Sequence, residues 1–405
     1  MKFAHMADCH IGSWRDPKLN NTSTIAFQKA MDKCIEENVD FILISGDLFN
    51  TSLPRIDNLK TVVTTFKQLK DKNIPVYIIP GSHDFSPSGK TMLDVLEQAG
   101  LFINVVKGEE IDGKLKLNFT IDKKTGAKIT GMLGKRYSLE KEYYKNLILE
   151  NLEQEDGYKI FMLHSGIDEL KTEDTEYVIS QPISLLPKNF NYYAAGHVHI
   201  VKDTKIENYG TIVYPGPLFP NSFSELEKLG TGGFYIVEND IARYHPIQVY
   251  NVYPLIIDCD GITPEQVYDE IINRIEDKEF NNTIVLIRLQ GSLASGKPHD
   301  IDFKEIFQKL YDKSAYFVMK NTNALTTKEF EEIKIDTKSV EDAESAIIKE
   351  HLGQVKLKDL DTNKEEALIK NLIQTLATEK QEGETNPDFE KRVKDEVSKV
   401  LDVEL

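Results

Sequence analysis

Phe41-Ile42-Leu43-Ile44-Ser45-Gly46-Asp47 is an apolar run that stops on a glycine and a carboxylate. A short run without polar alternation fits a strand covered on both faces, as in the middle of a parallel sheet. An acid placed just after it lies at the carboxyl end of that strand, where open α/β sheets gather their ligands. Outward from this run, Phe3–Ala7 and Val76–Ile79 are two more such runs, and helical periodicity fills the intervals near Thr24–Glu37 and Ile56–Lys70. The pattern is βαβαβ and predicts an α/β fold with a mostly parallel, buried sheet. A second set of strands is expected at Leu115–Ile121, Lys128–Met132, Ile160–His164, Tyr192–Ala195, Thr211–Tyr214 and Gly233–Val237. Two sheets packed face to face between helices account for both sets, with this first domain, 1–250, ending near Tyr250.

A small α/β capping domain is expected over 251–326. Its first helix has Thr263 as N-cap, Pro264 at the first helical position and Gln266 completing a capping box, and strands Ile284–Leu289 and Tyr316–Met319 flank a second helix. Gly291-Ser292-Leu293-Ala294-Ser295-Gly296-Lys297 comes close to a phosphate-binding loop, but Pro298 replaces the hydroxyl that would hold magnesium, so a flexible loop is expected there. A linker over 327–338 leads to a helical region, 339–405, rich in Glu and Lys. Thr362 and Glu365 form a capping box ahead of Leu368, Ile369, Leu372, Ile373 and Leu376, and Asn386-Pro387 opens a helix with Phe389, Val393, Val397, Val400 and Leu401 on one face. Such stripes pack on each other, on the core, or on a partner.

A chain of 405 residues with 40% hydrophobic and 28% charged composition is a multidomain globular sequence. It holds no run near the roughly 18 apolar residues of a membrane span, and its polar N-terminal stretch argues against export, so no membrane association and a cytoplasmic location are expected. Cys9, Cys34 and Cys259 fit reduced thiols. The net charge of −17 speaks against holding nucleic acid by global electrostatics, unless bound cations reverse the local field or a partner supplies basic surface.

The chemistry sits in five pieces, each after an apolar strand: Asp8-Cys9-His10, Gly46-Asp47, Gly81-Ser82-His83-Asp84, His164, and Gly196-His197-Val198-His199. Asp8 and His10 share a face by strand periodicity and can grip one cation. Taken singly, each piece reads as a cap or a surface pair. Together they hold five of the nine histidines, and core histidines would not all choose loops after strands.

This order of pieces resembles the calcineurin-like metallophosphoesterase family over about residues 1–220. The resemblance implies a two-sheet sandwich flanked by helices and two metal ions, one held by Asp8, His10, Asp47 and His199, the other by Asp47, His164 and His197. Asp47 would bridge ions about 3.5–4 Å apart, which activate water for in-line displacement at phosphorus. His83 would stabilise the phosphoryl charge or protonate the leaving oxygen, with Asp84 orienting its ring. Imidazole and carboxylate donors suit manganese, iron or zinc better than calcium.

Within the family the chain is similar to the nucleases of DNA double-strand-break repair, through Gly46-Asp47-Leu48-Phe49, Leu163-His164-Ser165-Gly166 and Tyr214-Pro215-Gly216-Pro217 followed by a small cap and a helical tail. That similarity implies two Mn2+ (with Mg2+, Fe2+ or Zn2+ as other divalent ions), exonuclease action on double-stranded ends, endonuclease action near single strands, and a homodimer. It also implies a Rad-fifty/SbcC-type coiled-coil ABC ATPase bound through the C-terminal helices. Two positions depart from the pattern. Ser82 stands where the family has a metal-binding Asn, so the second ion is expected to be held more weakly, and Asn50 stands where a His linked to DNA handling is common. The rival expectations are a weakly active scaffold joining the ATPase to DNA, and a small-molecule phosphodiesterase.

Overall fold

The computed structural model describes residues 1–86, 91–135, 139–327, 362–378, 380, 384 and 386–401. Residues 1–328 make one compact unit and those from 329 onward a second. In the first sheet, β1 (Lys2–Met6), β2 (Phe41–Ser45), β3 (Val76–Ile79) and β4 (Ile103–Asn104) run parallel, connected by α1 (Thr22–Glu36), α2 (Ile56–Asp71) and α3 (Met92–Gln98). The second sheet is ordered β13 (Val201–Ile206), β14 (Gly210–Pro215), β12 (Tyr192–Gly196), β9 (Lys159–His164), β8 (Lys128–Met132), β7 (Thr120–Ile121).

Burial on both faces explains the unbroken apolar runs. Phe3, Phe41, Leu43, Tyr77 and Ile79 point between the sheets and meet Ile129, Ile160, Met162, Tyr192 and Val213. Their neighbours Met6, Ile42, Ile44 and Ile78 point the other way, onto Phe27, Ala30, Val62 and Phe66 of α1 and α2. The rings of Phe3 and Phe41 stack at 5.0 Å, and Tyr192 meets Phe3 edge-on at 5.2 Å across the sheets. Each large side chain so buried contributes roughly 1.5–3 kcal/mol.

Two strand expectations need correction. Gly233–Val237 lies within β15 (Gly232–Glu238), which pairs antiparallel with β1 in the first sheet and continues into β16 (Ile241–Ile247). Both faces of β15 are buried, so its composition carries no sign of which sheet it joins. Leu115–Ile121 is not one strand. β6 (Lys114–Leu117) closes a hairpin with β5 (Gly108–Ile111), and the chain breaks at Asn118, whose N–H bonds Lys107, before β7 edges the second sheet. Short helices α4 (Lys141–Lys145) and α5 (Glu150–Glu153), and the two-residue pair β10 (Gly166–Ile167) and β11 (Ser180–Gln181), cover that sheet's outer side.

A helix α6 (Phe223–Leu229) precedes β15. Beyond β16 comes a parallel three-stranded sheet, β17 (Asn251–Asp258), β18 (Thr283–Leu293) and β19 (Phe317–Thr327), with α7 (Pro264–Ile275) and α8 (Phe303–Asp312) as crossovers. The Thr263/Gln266 capping box is formed. Val285 and Ile287 face Val267, Ile271, Ile306 and Leu310, whereas Ile284 and Leu286 pack into the helix-side core of the larger domain. Gly291 to Leu293 belong to β18 and not to a loop, and a single turn of 3-10 helix at Pro298–Asp300 follows in place of the α-helix a phosphate loop needs.

In the second unit α9 (Thr362–Leu376) and α10 (Asn386–Leu401) pack on each other. The pairing leaves apolar surface uncovered, for Ile373 and Leu376 stay 38% and 63% exposed. The expected linker beyond residue 327 and the helical region up to 361 lie outside the described residues. No helix among the described residues is long and apolar enough to cross a membrane.

Candidate metal centre

Asp8 and His10 follow β1, Asp47 follows β2, Ser82 to Asp84 follow β3, His164 ends β9, and His197 and His199 follow β12. Both sheets therefore deliver their strand ends to one cleft of about 540 Å³, lined by Asp47, Ser82, His83, His197, His199 and Glu225 among others. To turn inward at once, the chain adopts left-handed backbone at Asp8, His10, Asp47, His197 and His199, with φ of 50°, 41°, 52°, 92° and 56°. Elsewhere among the described residues, such non-glycine positions are Asn or Asp, save Ser314. Conformations of this kind cost roughly 1–3 kcal/mol each and collect where function over-determines them.

The ligand-type atoms converge. His10 Nε2 is 3.0 Å from His199 Nε2 and 3.6 Å from Asp47 Oδ2, and His199 Nε2 is 3.6 Å from Asp8 Oδ1. His164 Nδ1 donates to the Ser45 carbonyl at 2.8 Å, which in the neutral ring leaves the lone pair on Nε2. That nitrogen is buried, has no hydrogen-bond partner and faces Asp47 Oδ2 at 3.2 Å. A lone pair aimed at a carboxylate in a dry pocket is unfavourable until a proton or a metal ion lies between them, and Asp47 draws either one there.

The electrostatics agree. Burial lowers His10 and His197 to about 3. Burial also opposes charge on His164 and His199, but Asp47 and Asp8 outweigh it and push His164 up to about 10, while Asp8 and Glu225 push His199 up to about 9. Burial raises Asp8, and with Asp47 beside it raises Asp84 to about 7. Asp47 resists burial and is held below the usual carboxylate range by His164 and His10. The field favours positive charge between Asp8, Asp47 and the imidazoles, and this nitrogen and oxygen donor set fits a divalent transition metal.

Three compact groups of ligand atoms result: Asp8, His10 and His199; Asp8, Asp47 and His164; and His10, Asp47 and His83. His197 stands outside them, its ring centroid 5.1 Å from that of His164, and its backbone N–H donates to the Asp8 carboxylate at 3.0 Å. Ser82 lines the cleft beside His83.

Asp84 has a different task from the one expected. Its carboxylate accepts the backbone N–H groups of Leu48, Phe49 and Gly81, each at 3.1 Å. It ties the Asp47 loop to the His83 loop. The His83 ring is held instead by the Asn50 carbonyl, 2.9 Å from Nδ1.

Two features were missed in the sequence. Glu225, in the first turn of α6, places Oε1 3.2 Å from His199 Nδ1, and its other oxygen accepts the Asn221 N–H at 2.8 Å. The signal available was Ser222 followed three residues later by Glu225, a capping-box pattern; Ser222 Oγ accepts the Glu225 N–H, but the Glu side chain goes to the histidine. Close glycine packing is the second. A Cβ on Gly46 would lie 2.2 Å from His164 Nδ1, and Gly46 has φ +89°. Gly46→Ala is therefore expected to break the His164 to Ser45 bond, lower stability by more than about 2 kcal/mol in denaturant unfolding, and weaken metal uptake. His5 is the bland counterpart: buried, neutral, and bonded at both ring nitrogens, to Tyr192 and Ser45.

The calcineurin-like phosphoesterase family matches residues 1–201. Proteins named DNA double-strand break repair protein Mre11 are similar over much more of the chain. The one from Archaeoglobus fulgidus is 27% identical over 84% of this chain and 77% of its own length. The one from Methanocaldococcus jannaschii is 29% identical over 87% and 89%, and that from Methanococcus maripaludis 26% over 92% and 95%. Residues 1–201, which carry Asp8, His10, Asp47, His83, His164, His197 and His199, thus form a calcineurin-like phosphoesterase domain, and most of the chain is similar to the archaeal Mre11 proteins.

Proposed function

We propose that this chain is a metal-dependent DNA exonuclease and endonuclease subunit of a double-strand-break repair complex. The observation that carries the chemistry is the buried, unpartnered His164 Nε2 facing Asp47, ringed by Asp8, His10 and His199. Asp8, His10, Asp47 and His199 would hold one ion, and Asp47, His164 and His197 the other, with Mn2+ the expected metal. Bound ions supply a nucleophilic water and neutralise phosphoryl charge. The chain's own residues do the rest: Ser45 and Glu225 fix two imidazoles in the ligand tautomer, Asp84 fixes the loops, and Asn50 fixes His83 beside the phosphate. Bound cations also answer the net charge of −17 by reversing the field where a phosphate must enter. Manganese-dependent cleavage of double-stranded ends, compared with an aryl phosphodiester, tests the reading. Preferential cleavage of the small ester would favour a small-molecule phosphodiesterase, and no cleavage of either a scaffold.

Homodimerisation is supported by Leu53, Ile56 and Val95, which are 69%, 75% and 58% exposed. The Met92 N–H bonds the Ser52 carbonyl and sets the start of α3 against this loop. The uncovered apolar positions of α9 and α10 support docking of a coiled-coil ABC ATPase of the Rad-fifty type. Deleting the residues after 361 is expected to abolish co-purification with that ATPase and leave cleavage of short DNA intact.

At Ser82 a hydroxyl stands where an amide oxygen would reach the metal. Ser82→Asn is expected to tighten the weaker of two manganese sites, and to raise cleavage at limiting manganese but not at saturation. Calorimetric titration checks this; two equally tight sites in the natural chain would refute it.

A further inference from the structure

The metal centre is tied to the three-stranded domain through one short helix. From α6, Glu225 Oε1 reaches His199 Nδ1 at 3.2 Å. Two residues on, Glu227 receives Arg288 Nε of β18 at 2.7 and 2.9 Å, and the Arg288 guanidinium lies 5.2 Å from the centroid of the Phe223 ring. A helix of seven residues has no stability of its own. Leu226 is its one fully buried side chain and Phe223 packs partly on the same core, so the Ser222 cap and the grip of Arg288 add to a small apolar anchor.

Glu225 decides which nitrogen of His199 is free. In the neutral ring that binds an ion, Nδ1–H donates to the carboxylate and Nε2 keeps its lone pair, at 3.6 Å from Asp8 Oδ1 and 3.0 Å from His10 Nε2. Outer partners of this kind orient a metal-binding imidazole and fix its tautomer. A helix that shifts takes Glu225 away, and the His199 ring is then free to rotate or to carry its proton on Nε2.

We propose that Arg288 is a positioning residue for the metal centre: by clamping Glu227 it holds α6, and with it Glu225, where His199 Nε2 is turned to the ion. The proposal rests on the metal reading above. It makes the three-stranded domain part of the centre's architecture, so that whatever displaces this domain also changes the ion's hold.

Cobalt(II) is the probe, added to the full chain and followed by visible absorption and calorimetry without any DNA. Arg288→Met and Glu227→Gln are each expected to weaken one cobalt site by about tenfold or more and to alter its absorption bands, as Glu225→Gln does. Arg288→Met placed on top of Glu225→Gln should add less than about twofold, because both act through one contact. Exchanging the charges, Arg288→Glu with Glu227→Arg, should restore most of the affinity. Tyr316→Phe removes a different tie of the same domain, the hydroxyl bond to the Lys18 carbonyl at 2.6 Å, and should leave cobalt unchanged. Wild-type affinity and bands in both Arg288→Met and Glu227→Gln would overturn the proposal. So would full additivity with Glu225→Gln, or an equal loss in Tyr316→Phe. A wild-type chain that takes up no cobalt would overturn the metal reading itself, and the proposal with it.

Discussion

Asp47→Asn is expected to empty the centre of divalent metal and to reduce phosphodiester cleavage by at least about 10³-fold. The Asp47 carboxylate joins three parts of the centre. Oδ2 lies 3.2 Å from His164 Nε2 and 3.6 Å from His10 Nε2, while Oδ1 accepts the His83 backbone N–H at 2.8 Å. Asparagine keeps an oxygen for that last bond, so the loop should stay folded while the charge that draws cations disappears. The loss is then chemical and not a matter of unfolding. Elemental analysis of metal, DNA cleavage and a thermal melt on the same preparations check it. If Asp47→Asn kept the natural chain's metal content, the carboxylate would not be a shared ligand.

What the sequence allowed to be read follows from range. Phe41–Ser45 and Val76–Ile79 are strands with those very ends, because an apolar run closed by a glycine or a proline is a local signal. The ligand-type residues were legible for the same reason, each lying just past such a run. Contacts made over distance were not legible. Glu225 reaches His199 across 26 residues and the Asn50 carbonyl holds His83 across 33, and neither partner has a composition that announces it. Asp84 was misread because adjacency in sequence suggested a partner, whereas its buried carboxylate needed the three N–H groups around it. The left-handed backbone at His10, His197 and His199 had no local cause either; these conformations are imposed by the cleft.

His83→Ala is expected to lower DNA cleavage by about 10²–10⁴-fold and to leave metal content unchanged. The Asn50 carbonyl holds Nδ1 at 2.9 Å, so that nitrogen carries a proton and Nε2 is the atom presented to the cleft. The ring meets His10 edge-on at 4.7 Å between centroids, close enough to reach a phosphate seated at the centre. The same closeness permits a rival role, since His83 forms a compact group with His10 and Asp47 and could be a third ligand. Metal analysis separates the two, because a ligand's removal weakens the ion's hold and a phosphate-side residue's removal does not. The leaving group then separates the two phosphate-side roles. If His83 protonates the departing oxygen, a nitrophenyl diester, whose leaving group needs no proton, should lose far less rate than DNA when His83 is replaced. If His83 only stabilises phosphoryl charge, both substrates should lose the same factor. A His83→Ala chain stripped of metal would show that the imidazole belongs to the ion.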